Sequence, residues 1–282
     1  MKPKVQNLIF DLDGTLLSWG HEPLPQTVTF LKELQKQGFK ITFATGRSHI
    51  LIRNTTQFIQ PDLPVISSNG ALIYDFAREK ALHMTQLAPQ SVVPIMRLLL
   101  QLEESFCIYT DKKVFGFEKP GIPCKRLRTT QSKIVEPDIT QNNFTINPLT
   151  DASKFDFATQ NITKILLISE DRGRISKITK HLDAIENISY VSSMTFALDI
   201  MHKDVNKAYG LKALEQQTGL DPQMTMVFGD GDNDVEIFNA VKYSVAMANG
   251  SDLAKQNATF ISEFDNDHDG IYHFLQCFLK IE

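Results

Sequence analysis

The apolar run Leu8-Ile9-Phe10 stops abruptly at Asp11-Leu12-Asp13-Gly14-Thr15, and no other feature restricts the fold as much. A short run that is apolar on successive residues reads as a strand buried on both faces, the habit of parallel sheets covered by helices. Two carboxylates placed at its carboxyl end then fall where ligands bind in such sheets. Residues 26–37 carry Val28, Leu31 and Leu34 at helical spacing, with Gly38 as a C-cap. A second buried strand is predicted at 39–44, ending at Thr45-Gly46-Arg47, and a helix at 48–59. A third strand at 64–67 ends at Ser68-Asn69-Gly70. This alternation predicts an α/β fold built on a parallel sheet.

The middle of the chain has another texture. The spacing predicts a helix over 91–102, a hairpin of strands 106–109 and 114–117, and strands at 165–168 and 188–191 around a helix at 174–184. Residues 118–160 show little periodicity. The α/β pattern resumes with a helix at 206–217 and a strand at 224–228 that ends at Gly229-Asp230-Gly231-Asp232-Asn233-Asp234. Short strands at 243–246 and 259–261 and a helix at 270–279 complete the chain. The expected organisation is a core from 1–83 and 191–282, with an α+β domain inserted at 84–190.

Bulk properties narrow the function. At 282 residues the chain can build two cores. Its net charge of −4 gives no reason to expect nucleic acid or an acidic membrane surface as a partner. No stretch approaches the ~20 apolar residues of a membrane span. Cys107, Cys124 and Cys277 lack zinc spacing and any disulfide framework, so they are read as reduced thiols of a cytoplasmic protein. Asp265-Asn266-Asp267-His268-Asp269-Gly270 mimics the opening of an EF-hand loop, but Gln276 stands where the bidentate Glu belongs. The segment is read as a capped helix start.

The chemistry follows from the strand ends. Of Asp11 and Asp13, one carboxylate can attack phosphorus and the other can pass a proton to the leaving group. Gly14 lets the backbone run close to a ligand. Carboxylates facing an anionic ester need a cation between them, and Mg²⁺ favours oxygen donors. Asp230 and Asp234 can complete its site. Thr45-Gly46 offers a hydroxyl and backbone N–H groups to an anion near a helix start. Lys207 offers an ammonium, with Lys203 close by as an alternative.

These motifs and their order resemble the haloacid dehalogenase superfamily. Asp11-Leu12-Asp13-Gly14-Thr15-Leu16 is similar to its first motif and Ala44-Thr45-Gly46-Arg47 to its second. Lys207 is similar to the third, and Gly229-Asp230-x-x-Asn233-Asp234 to the fourth. Ser67-Ser68-Asn69-Gly70-Ala71 and Val245-Ala246-Met247-Ala248-Asn249 resemble the Cof-type subfamily, IIB. The resemblance implies a Rossmann-like core with an inserted α+β cap of the C2B type, which closes over substrate. It implies Asp11 as nucleophile, forming an aspartyl-phosphate, and Asp13 as general acid/base. It also implies Mg²⁺ held by Asp11, Asp230, the Asp13 carbonyl and, in support, Asp234. The Leu12 backbone, Thr45, Gly46, Lys207 and Asn233 would hold the phosphate.

The expected substrate is a small phosphorylated metabolite, with sugar phosphates leading, and the expected state a monomer or weak homodimer. The rival readings are a sugar phosphomutase of the phosphomannomutase type and a non-catalytic phosphometabolite-binding protein. Two positions depart from the family pattern: Ala208 follows Lys207 where Gly is usual, and Phe238 stands where Met is common. Arg47 is read as structural or as a salt-bridge partner, Asp232 as a solvated loop carboxylate, and Ser68-Asn69-Gly70 as a turn outside the catalytic set. The basic residues Lys119, Lys125, Arg126, Arg128 and Lys133 are read as a solvated loop, some of which could face the far end of the substrate.

Overall fold

The computed structural model describes residues 4–118, 147–149, 155–169, 171–194 and 197–280. The five basic residues of the middle segment and Cys124 lie outside them. Neither Cys107 nor Cys277 is in a disulfide among the described residues.

By its internal contacts the chain divides into two units, Met1–His83 with Asn206–Glu282, and Met84–Val205. The strands, in chain order, are β1 (Asn7–Phe10), β2 (Lys40–Phe43), β3 (Val65–Ser67), β4 (Leu72–Asp75), β5 (Lys80–Met84), β6 (Ser105–Thr110), β7 (Val114–Phe117), β8 (Asn147–Pro148), β9 (Ile162–Ile168), β10 (Ile188–Met194), β11 (Ala197–His202), β12 (Thr225–Gly229), β13 (Tyr243–Ala246) and β14 (Phe260–Ile261). The helices are α1 (Pro25–Lys36), α2 (Arg53–Phe58), α3 (Pro89–Gln101), α4 (Arg172–Leu182), α5 (Lys207–Thr218), α6 (Val235–Asn239), α7 (Asp252–Asn257) and α8 (Gly270–Leu279).

The first unit is built on a five-stranded parallel sheet in the order β14-β13-β12-β1-β2. Side chains on a strand alternate between faces, and here each face has its own cover. Leu8, Phe10, Met226, Phe228 and Val245 pack with Leu31 and Leu34 of α1 and with Ile271 and Leu275 of α8. Ile9, Val227 and Ala246 pack on the other side with Leu211 and Leu214 of α5, Ile237 and Phe238 of α6, and Ala254 of α7. Double cover explains why these strands read as unbroken apolar runs. It also accounts for Phe238, which is spent on this packing.

A second, three-stranded sheet (β3-β4-β5) joins the first through the parallel bridge Ala44–Ile66. The sequence pattern shows β3 but not β4 or β5, and α2 is shorter than the helix expected over 48–59. Asp269 precedes α8 as expected of a capped start, but it does not cap the helix. Its backbone is left-handed, with φ at 50°, and its carboxylate accepts from Thr27 N at 3.1 Å and Thr27 Oγ1 at 2.7 Å. The acidic loop therefore ties α8 to α1.

The second unit carries a six-stranded sheet, β10-β11-β9-β6-β7-β8, antiparallel apart from the β7–β8 pair. Phe106, Ile108, Ile165, Leu167, Leu198 and Ile200 form its core with Val92, Ile95 and Leu99 of α3 and Ile178 and Leu182 of α4. The boundary expected after residue 190 is corrected to 205, because β11 pairs with β9 and β10. That strand escapes the apolar pattern because it carries Asp199, buried and paired to Lys164 at 2.9 Å.

Candidate active site

The site is assembled at the carboxyl ends of three adjacent strands. β1 lies between β2 and β12, and residue by residue these ends are level, Phe10 pairing with both Phe43 and Phe228. Asp11, Thr45 and Asp230 therefore emerge on the same rim. The chain leaves β1 toward β2 on one side and reaches β12 only much later on the other, so Asp11 stands at the point where the strand order reverses, where open α/β sheets place their ligands.

Asp11 is buried, and its Oδ1 lies 2.9 Å from Lys207 Nζ. The same ammonium is 2.6 Å from Asp234 Oδ1. Lys207 is 0% exposed and opens α5, whose first turn is capped by Asn206, its side chain accepting from Tyr209 N at 2.8 Å. Lys203, by contrast, is exposed. The structure thus brings Lys207, not Lys203, to the carboxylates. Ala208, in place of the usual Gly, is accommodated on the half-buried side of that turn.

Asp234 is also tied down at its other oxygen, which accepts from Asp230 N at 3.0 Å and Gly231 N at 2.9 Å. Asp230 Oδ1 accepts from Thr15 Oγ1 at 2.8 Å. Gly14 is left-handed, with φ at 75°, and a Cβ there would overlap the Asp230 carboxylate. Gly14→Ala should therefore push Asp230 out of register. The expected result is an activity loss of about 10²-fold for a displacement on the order of 1 Å, checked by steady-state kinetics beside a thermal melt.

Asp11, Asp230 and Asp234 each offer an oxygen within 4.8 Å of the others. Asp13 is not in this group. Its carboxylate lies in the fork of Arg47, with Nε donating to Oδ2 at 2.7 Å and Nη2 donating to Oδ1. Arg47 thus pairs with the second carboxylate of the Asp11-x-Asp13 step, a contact that its salt-bridge reading did not specify. Thr45 is buried, its hydroxyl accepting from Arg47 N at 3.1 Å. Asn233 Nδ2 donates to Asn69 Oδ1 at 3.1 Å, and Asn69 Oδ1 lies beside Gly46. The site residues missed in the sequence are Asn69 and Asn249, whose Nδ2 donates to the Gly14 carbonyl at 2.8 Å. The Asn-Gly step at 69–70 was the available signal for the first. Asp232 is exposed and accepts from Ser251 Oγ at 2.6 Å.

The electrostatics reflect this crowding. Burial pushes the Asp11 carboxyl well above its ordinary value, against the pull of Lys207, and Asp234 and Asp230 add to the rise. Asp230 is raised to about 7 by burial and by Asp234. Burial alone would lower the Lys207 ammonium, but Asp11 and Asp234 outweigh it and hold the group charged. At Asp13 burial acts upward and the Arg47 guanidinium outweighs it, keeping the carboxyl below the usual range. With all three carboxylates ionised, the cluster carries two more negative charges than the Lys207 ammonium offsets, and every donor is a hard oxygen. A divalent cation of the Mg²⁺ kind fits that donor set. Asp11 and Asp230 would hold it, since Asp234 spends both oxygens on Lys207 and backbone N–H groups.

Among the described residues, no helix is long and apolar enough to cross a membrane. The chain matches the family model of the haloacid dehalogenase-like hydrolases over residues 8–275. It is 58% identical over 276 residues to MG265 of Mycoplasma genitalium, a protein classed by name with the phosphatases, covering 98% of this chain and 99% of that protein. It is 24% identical over 283 residues to the 5-amino-6-(5-phospho-D-ribitylamino)uracil phosphatase YwtE of Bacillus subtilis, covering 97% and 98%. The solved structure of the subclass IIB sugar phosphatase BT4131 superposes with a TM-score of 0.78 at 21% identity, over 97% of this chain and 99% of that one. With the carboxylates, the lysine and the strand ends arranged as above, the chain belongs to the haloacid dehalogenase-like hydrolases and is a phosphatase of that family.

Proposed function

We infer that the enzyme is a Mg²⁺-dependent hydrolase of small phosphorylated metabolites, working through an aspartyl-phosphate on Asp11. The observation that carries this reading is the single buried ammonium of Lys207 shared by Asp11 and Asp234, beside Asp230. It fixes the rotation of a carboxylate that would otherwise be repelled from an anionic ester.

An Asp11 oxygen attacks phosphorus, and the ester oxygen leaves with a proton from Asp13. Asp13 then takes a proton from water as that water attacks the phosphorus of the aspartyl-phosphate, returning Asp11 and releasing phosphate. Thr45, the Gly46 and Leu12 backbones, Asn233 and Lys207 hold the transferring group. Asp11 and Asp230 would hold Mg²⁺, with Asp234 in support and the Asp13 carbonyl as a further donor, and the ion would supply charge neutralisation for the phosphoryl group. Arg47 holds Asp13 ionised, so the acid role requires Asp13 to leave that fork and collect a proton.

For the substrate, YwtE is named for a ribityl phosphate and BT4131 is titled a sugar phosphatase. Phosphorylated sugars and polyols are accordingly the leading class. The test is a phosphate-release screen across sugar phosphates, nucleotides and cofactor phosphates, with Mg²⁺ and with EDTA. Release should be fastest on sugar or polyol phosphates and should collapse in EDTA, returning when Mg²⁺ is added back. Equal rates with and without chelator would overturn the metal, and a preference for nucleotides would overturn the substrate class.

A further inference from the structure

The turn Ser68-Asn69-Gly70 after β3 is an expensive piece of backbone. All three residues are left-handed, with φ of 50°, 55° and 101°, and only the third is a glycine. Asn is among the few other residues that visit this region, whereas Ser is not favoured there. The Ser68 side chain is fully buried, and its hydroxyl has no hydrogen-bond partner among the described residues. Strain and an unsatisfied buried group in one turn persist only where the surroundings enforce them.

The surroundings are the three loops that carry the anion-holding residues. Asn69 N donates to the Thr45 carbonyl at 3.0 Å and Ser68 N to the Arg47 carbonyl at 2.9 Å, so the turn is fastened to the loop after β2. Gly70 is jammed against the start of α5. A Cβ on it would overlap the Asn206 carbonyl, immediately before Lys207, and Gly210 packs its own Cα side against Gly70. Asn69 Oδ1 accepts from Asn233 Nδ2 at 3.1 Å and would lie 3.0 Å from a Cβ on Gly46. One short turn therefore touches Thr45-Gly46, the seat of Lys207, and Asn233.

An amide side chain has two faces, one acceptor and one double donor. To hold a phosphate oxygen Asn233 must present N–H. With one hydrogen of Nδ2 spent on Asn69 Oδ1, the amide cannot flip without losing that bond, and its second hydrogen stays available. We propose that Asn69 is a positioning residue, whose carboxamide oxygen, delivered by the left-handed turn, orients the Asn233 amide toward phosphate and registers it with the Thr45-Gly46 loop. This rests on the reading of Asn233 as a phosphate contact.

The test is a cycle of Asn69→Gly, Asn233→Ala and the double variant. Glycine keeps the left-handed backbone that Asn69 adopts, so the turn survives and the carboxamide alone is removed. Calorimetric binding of inorganic phosphate in Mg²⁺ is measured beside kcat and KM for p-nitrophenyl phosphate, with a thermal melt for each variant. Asn69→Gly should weaken phosphate binding and raise KM by about tenfold each, the loss of one anchored hydrogen bond, with a smaller change in kcat. In the Asn233→Ala background Asn69→Gly should have no further effect. Phosphate binding unchanged in Asn69→Gly, or its full effect persisting without Asn233, would overturn the positioning role alone. Unchanged binding in Asn233→Ala would instead remove the phosphate role of Asn233, and this proposal with it.

Discussion

Asp11→Asn should abolish phosphate release while leaving the protein at least as heat-resistant as the parent. The expected loss is about 10⁴-fold or more in kcat, the scale seen when a covalent nucleophile is removed. The amide is nearly isosteric, and its oxygen can still accept from Lys207, now 2.9 Å from Asp11 Oδ1. What disappears is one of three clustered, mutually repelling carboxylates, whose own burial already opposes its charge. Relieving that crowding should therefore not cost stability. The melt is to be taken in EDTA, where no cation offsets the charges. A variant that releases phosphate at the parent rate would remove Asp11 as nucleophile. A variant that melts well below the parent would show that Asp11 is instead a structural anchor.

Lys207→Met should have the opposite stability signature. Methionine fills most of the space, but Asp11 and Asp234 are left facing each other without their shared ammonium. Removing one partner of a fully buried ion pair typically costs about 3–5 kcal/mol, which for a chain of this size lowers the melting temperature by about 10 °C. Catalysis should fall as well, by about 10²- to 10³-fold in kcat, because a preorganised cation at the developing charge is lost. Lys203→Ala serves as the control. Lys203 is exposed and its activity and melt should match the parent. If Lys203→Ala were the damaging change and Lys207→Met were silent, the assignment of the phosphate lysine would be reversed. The two predictions are complementary: one removes a charge from an over-negative cluster, the other removes its only internal counter-charge among the described residues.

Much of this site was legible from local sequence. Asp11, Thr45 and Asp230 were marked by apolar strands that end at polar, glycine-rich steps, a signal carried by adjacent residues. Lys207 was marked less well, since a lysine at a helix start is common on protein surfaces. Its complete burial, between carboxylates far along the chain, is what distinguishes it from Lys203. β11 was hidden because the pattern that reveals a strand is apolar, and Asp199 breaks it while being neutralised by Lys164 from β9. β4 and β5 were hidden because β5 is only partly buried and carries little apolar contrast.

The sequence by itself determined the class of fold and which carboxylates stand at the strand ends, because strand burial, helix periodicity and turn chemistry act over a few residues. Only the tertiary structure decided how those carboxylates are governed. Arg47 closes on Asp13 across 34 residues, Lys207 on Asp234 across 27, and Asn69 on Asn233 across 164. Such pairings come from strands being laid side by side with their ends level. Charge and hydrogen-bond energies depend on the resulting distances, which spacing along the chain does not encode.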